Sequence, residues 1–179
     1  MTKANPAALG VPLLETARLR LRGHRPEDWD SCAAMWGDPA VTRHISGKTF
    51  SKEETWSKLL RLAGLWALLG YGYWAVEEQS SGRFVGEVGF ADFKRTIEPS
   101  LDGMPEAGWV LATWAHGVGY ATEAVSAALA WGDAHLGSRR TVCMIDPEHH
   151  ASIRVAEKCG YREFQRISYQ DQPALLLRR

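Results

Sequence analysis

The 179-residue chain lacks a net charge: 21 Lys and Arg stand against 21 Asp and Glu. With no surplus of either sign, nothing draws in nucleic acid or an anionic membrane, and neither is expected as a principal partner. Cysteine is scarce. Cys32, Cys143 and Cys159 are odd in number, far apart and without CxxC or Cys/His spacing, so no zinc or other metal site is expected. They read as reduced, mostly buried thiols of a cytoplasmic protein. Long apolar runs are missing as well. The longest, LAGLWALLG at 62–70, is about half of a membrane span. The opening MTKANPAALGVPLLE has no apolar core of the ~7–15 residues that a signal peptide needs. No linker, repeat or low-complexity segment appears, so residues 1–13 read as a flexible tail and 14–179 as one domain.

What is present is ordinary for a globular protein, with 45% apolar and 23% charged residues, except for eight tryptophans. They suit a broad aromatic surface or a core. RLRLRG at 18–23 alternates as a half-buried strand. Pro26-Glu27-Asp28 opens a helix that stops at Gly37-Asp38-Pro39. Ser51 and Glu54 form a capping box for a second helix, with Trp56, Leu59, Leu60 and Ala63 on one side and Gly70 at its end. YGYWAVEE (71–78), a Ser-Ser-Gly turn and RFVGEVGFADF (83–93) make a hairpin. EAGWVLATW (106–114) is a nearly continuous apolar, central strand. A helix through Ala124 to Leu136, a strand at 140–146, a helix at 151–160 and strands at 161–170 and 173–179 complete an α/β (α+β) domain, with the order βααβββαβαββ.

The stretch WAHGVGYATEA (114–124) holds Gly117 and Gly119 just before a helix. Free amides and the helix dipole there form an anion site, and glycine lets a phosphate approach the main chain. The stretch is open to three readings: a structural turn, a dinucleotide site, and a pyrophosphate loop for coenzyme A. The dinucleotide reading needs a third glycine where position 122 is Thr, and an acid about 20 residues on where Cys143 and Met144 stand.

WAHGVGYATEAV resembles the acyl-CoA loop of the GNAT N-acetyltransferases, in particular the RimJ/RimL-type branch that acetylates ribosomal-protein N-termini and small amines. HHASIRVAEKCGYRE (149–163) is similar to that branch's Asn-x-x-Ser-x-Arg-x-x-Glu-Lys-x-Gly-Phe, and LETARLRLRGHRPED (14–28) resembles its first strand and helix start. The likeness spans about residues 14–179. It implies a mixed, strongly twisted sheet splayed open near its middle, with acetyl-CoA lying in the splay. The pantetheine would pair with main chain at Val110, Leu111 and Ala112. The pyrophosphate would sit on His116, Gly117, Val118, Gly119, Tyr120, Ala121 and Thr122, and His149 would replace the asparagine that holds the pantetheine arm.

The implied chemistry is direct transfer to a primary amine, a protein N-terminus or a small amine. Such amines arrive protonated, with pKa about 7.7–8.0 at a terminus and about 10.4 on lysine, so a base must take a proton. The resemblance points to Glu106 as that base, acting through water, with Asp92 and Glu87 as second choices. The resemblance gives Ser152 as the proton donor to the departing thiolate, a role that capping its helix does not exclude. Position 156, where another branch keeps a tyrosine donor, is Ala. The acceptor pocket falls to residues 29–66 (Trp36, His44, Phe50, Trp56 and Trp66) and 168–172, and the protein is expected as a monomer or homodimer. A non-catalytic acyl-CoA-binding module, kept open by His149, and a nucleotide-binding oxidoreductase are the alternatives.

Overall fold

A computed structural model of the chain describes residues 10–137 and 140–179. The expected loose tail falls mostly on residues 1–9, outside that range. Val11 already packs on the core, and Trp74 Nε1 donates to the Pro12 carbonyl at 2.8 Å.

The strands are β1 (Leu14–Glu15), β2 (Leu19–Arg22), β3 (Tyr73–Glu78), β4 (Phe84–Ala91), β5 (Glu106–Leu111), β6 (Val142–Ile145), β7 (Arg162–Tyr169) and β8 (Gln172–Arg178). The helices are α1 (Trp29–Trp36), α2 (Pro39–Thr42), α3 (Lys52–Leu69), α4 (Tyr120–His135) and α5 (His150–Lys158). One mixed sheet runs β1-β2-β3-β4-β5-β6-β8-β7, with β5 and β6 its parallel pair. The expected α/β order is met. Two short elements, β1 and α2, were not foreseen, and Pro26–Asp28 forms a 3-10 turn ahead of α1.

The capping box forms as written: Ser51 Oγ accepts from the Glu54 amide at 3.1 Å and Glu54 Oε2 from the Ser51 amide at 2.7 Å. Gly70 ends α3 at φ 72. The buried face of α3 differs from expectation. Thr55, Leu59, Leu62 and Trp66 point inward, whereas Trp56 and Leu60 are 38% and 51% exposed. Both assignments fit helical spacing; the inward stripe is fixed by what the sheet offers, since Trp66 Nε1 finds the Tyr73 carbonyl at 2.9 Å.

The larger core lies between the sheet and α4, and two smaller clusters lie under α1 and α3, the second of them Leu62, Tyr73 and Ala91. Trp66, Trp74 and Trp131 meet edge to face in the former at 4.7–5.3 Å, so much of the tryptophan is core. Cys32, Cys143 and Cys159 are free and buried.

Candidate active site

β5 pairs with β4 over all six of its residues, but with β6 at a single pair, Glu106 and Val142. Beyond Glu106 the two strands part. The Ala112 amide donates to the Val85 carbonyl at 2.9 Å, on the β4 side, while Val142 N reaches the Pro105 carbonyl at 3.1 Å, on the β6 side. Main-chain direction alternates with period two, so the peptide groups of Trp109 and Leu111 face the gap. Of Val110, Leu111 and Ala112, only Leu111 presents its main chain there. Its carbonyl is already held by His116 Nε2 at 2.8 Å.

At the end of β5 the chain makes a 3-10 turn (Thr113–Ala115) rather than continuing as strand to 114. The loop then runs exposed through His116, Gly117, Val118 and Gly119. Gly117 and Gly119 have φ 77 and 88, and nothing lies within 4 Å of where a Gly117 Cβ would be. These are left-handed conformations that suit glycine. Gly119 caps α4 without a side-chain bond, so the amides of Tyr120, Ala121 and Thr122 open outward at the positive end of a 16-residue helix.

Arg18 braces this loop. Its Nη1 donates to the Val118 carbonyl at 2.9 Å, its Nε to Glu123 Oε2 at 2.7 Å, and its guanidinium lies 4.6 Å from the Tyr120 ring centroid. Glu123 also accepts from Thr16 Oγ1 at 2.6 Å. Burial works to raise the Glu123 carboxyl, but the bonds from Thr16 and Arg18 outweigh it and hold it below the usual range. Arg18 carried no local signal of this role, since its partners lie about a hundred residues away.

Across the gap, His149 is the residue before α5 and Ser152 is in its first turn. Ser152 is not the cap, and its half-buried hydroxyl has no hydrogen-bond partner among the described residues. His149 stacks on His44 at 4.7 Å, and His44 Nδ1 meets Asp146 Oδ2 at 2.7 Å. Burial first, then the neighbouring His44, lowers the His149 pKa, which favours a neutral imidazole at pH 7.

Glu106 stands where β5 and β6 part. It is 8% exposed and bidentate with Arg95, at 2.7 and 2.9 Å. Arg95 lies 4.8 Å from the ring centroids of both Phe93 and Tyr169, which brings the β7–β8 hairpin to the site. Asp92 and Glu106 line one shallow cavity with Phe93 and Met104. Asp92 is bound to the side chain and amide of Lys94. Glu87 is sealed beneath α1, where Trp36 Nε1 donates to it at 2.9 Å and His24 Nε2 lies at 3.2 Å.

Of the expected acceptor residues, Trp66 belongs to the far core and Trp56 faces solvent. Trp36 and Phe50 pack at 5.0 Å, with the Lys58 ammonium 4.0 Å from the Trp36 ring centroid. Burial lowers the Lys58 pKa to about 8. Among the described residues no group of His, Cys, Asp and Glu could hold a metal ion, and no helix is long and apolar enough to cross a membrane.

Residues 18–162 match the family model of the acetyltransferase (GNAT) domain. The chain is 30% identical over 173 residues to the uncharacterized protein YkkB of Bacillus subtilis, covering 93% of this chain and 94% of that one. It superposes on a putative GnaT-family acetyltransferase from Bordetella pertussis with TM-score 0.83 at 30% identity, covering 94% and 99% of the two chains. It shares the fold of the ribosomal-protein-S5-alanine acetyltransferase from Vibrio fischeri, with TM-score 0.76, 16% identity and coverage of 94% and 96%.

Proposed function

The chain belongs to the GNAT acetyltransferase family, and we propose that it moves an acetyl group from acetyl-CoA directly to a primary amine, a protein N-terminus or a small-molecule amine. The observation that carries this reading is the parting of β5 from β6 after one residue pair, with an uncapped helix start and two left-handed glycines at the far end of the gap. A long cofactor with an anionic end and an amide-bearing arm fits both features. The diphosphate takes the amides from Gly117 to Thr122. The arm pairs with the gap-facing peptides of Trp109 and Leu111, and His149 hydrogen-bonds it from the α5 side. His116, which donates from Nε2 to the Leu111 carbonyl, supports the loop.

In this reading the amine comes from the side of α1 and α3. An ammonium acceptor sheds two protons: one passes through water to Glu106 and on to solvent, and the other ends on the CoA sulfur. The nitrogen bonds to the acetyl carbonyl carbon, the C–S bond breaks, and its electron pair leaves with sulfur; the Ser152 hydroxyl gives its proton to that sulfur and regains one from the amine nitrogen. Arg95 keeps Glu106 at the mouth of the gap. The Vibrio fischeri fold neighbour, a ribosomal-protein-S5-alanine acetyltransferase, supports a protein as acceptor. The neutral charge balance and buried reduced thiols support the cytoplasm as the compartment, and a monomer or homodimer suffices.

The test is release of CoA thiol from acetyl-CoA in the presence of peptides opening on Ala or Ser, and of polyamines. Turnover with at least one of these amines is the expected result. Tight acetyl-CoA binding with no turnover across the panel would instead favour an acyl-CoA-binding module, and absence of binding would contradict both.

A further inference from the structure

Three strands place Tyr73, Gly89 and Gly108 in one row across the sheet: Tyr73 on β3 pairs with Gly89 on β4, which pairs with Gly108 on β5. A Cβ on Gly108 would stand 2.0 Å from Tyr73 Oη and 3.2 Å from its Cζ, and one on Gly89 would meet the Gly72 carbonyl at 2.3 Å. Gly108 does not have a positive φ, so its glycine is a matter of room. The Tyr73 side chain, packed with Leu62 and Ala91, crosses the row and ends over Gly108, on the strand that borders the gap.

Tyr73 is 8% exposed, yet its hydroxyl has no hydrogen-bond partner among the described residues. It is not fully enclosed either: His24 Nδ1 is the fully buried unpaired side-chain atom among those residues. A hydroxyl held mostly out of water without a partner is costly, and a phenylalanine would fill the same space. Side chains alternate along β5, so Glu106 and Val110 flank Gly108 on this face, and Glu87 pairs with Val110. Burial, followed by Glu106 and Glu87, keeps the phenol protonated.

We propose that the Tyr73 hydroxyl contacts the acceptor amine, accepting an N–H hydrogen bond from it and donating its own proton to a water that leads to Glu106. This inference rests on the acetyl-transfer reading. The first proton shed by the acceptor passes through Tyr73 Oη and the water to Glu106, and Tyr73 ends as protonated as it began. The second proton and the C–S electron pair go to sulfur as above, and no oxidant or reductant is needed.

Tyr73→Phe keeps the ring and its packing. Acetyl-CoA is supplied with whichever of the Ala- or Ser-opening peptides or spermidine the wild type turns over fastest. The expected result is a kcat at least tenfold lower, an unchanged acetyl-CoA dissociation constant by calorimetry, and an unchanged or higher melting temperature. Gly108→Ala, which pushes the hydroxyl aside, lowers kcat in the wild-type background and adds little to Tyr73→Phe. Wild-type kcat in Tyr73→Phe, or losses that simply add in the double variant, would overturn the contact while leaving acetyl transfer standing. A wild-type chain that binds no acetyl-CoA overturns the transfer reading and this inference with it.

Discussion

Glu106 has both carboxylate oxygens on one guanidinium, that of Arg95. That contact fixes the carboxylate in place, and in the proposed reading it takes the acceptor's proton through water. Glu106→Gln keeps the shape and removes the charge. Its kcat is expected to fall by roughly a hundredfold or more, the scale of general-base catalysis, with acetyl-CoA affinity within about twofold of wild type. Thiol release and calorimetry on the same preparation check both halves. At Gly117 and Gly119 the backbone itself is the constraint: valine at either position is strained by about 1–2 kcal/mol in a left-handed conformation. Because the loop is exposed, the domain should stay folded while CoA affinity drops at least about tenfold, measured by titration. His149 links pH to stability. Its folded pKa lies below the ordinary 6.5, chiefly through burial, so the unfolded chain binds the proton more readily. The stability it contributes is whole above pH about 6.5 and is lost as pH falls through the lowered folded value. Urea midpoints followed from pH 7.5 to 5 should decline less in His149→Asn than in wild type.

At the scale of elements, those whose signals lie within one turn of chain were legible in the sequence. The Ser51 and Glu54 box appears bond for bond, and Gly70 stops α3 where expected, because cap and stop chemistry is local. Ser51→Ala should cost about 1 kcal/mol in urea denaturation without changing CoA affinity. The α3 face was misread because Trp56 and Leu60 fit helical spacing as well as Leu62 and Trp66 do; only the position of β3 decides between them. The glycine loop was legible for the same local reason, while its brace was not. Arg18, Glu123 and Thr16 meet only when β2 lies against α4, and neither Arg18 nor Arg95 advertises a partner in its neighbours. Likewise, Asp38 accepts from Thr113 and Asp146 pairs with His44, which tie the α2 segment to both sides of the gap. Nothing in the local sequence of 38–44 announces such a strap.

The whole molecule is one sheet divided by function. From β1 to β5 it is a continuous antiparallel floor; β6, β8 and β7 form a second wing, joined to it at Glu106 and Val142. The composition pointed to one domain with a real core, and Trp66, Trp74 and Trp131 meet at its centre. Trp74 is fully buried between Trp66 and Trp131, and Trp74→Ala should cost about 3–5 kcal/mol, a large part of a domain's net stability. The insertion of β8 between β6 and β7 brings Tyr169 over Arg95, a long-range pairing that no local pattern encodes. The proposed function takes the division into two wings as the cofactor site, and a crystal structure of the protein with acetyl-CoA tests it most directly. The expected density has the diphosphate on the amides from Gly117 to Thr122 and the pantetheine between β5 and β6, against Trp109 and Leu111. A gap closed by side chains, or cofactor bound elsewhere on the surface, would contradict it.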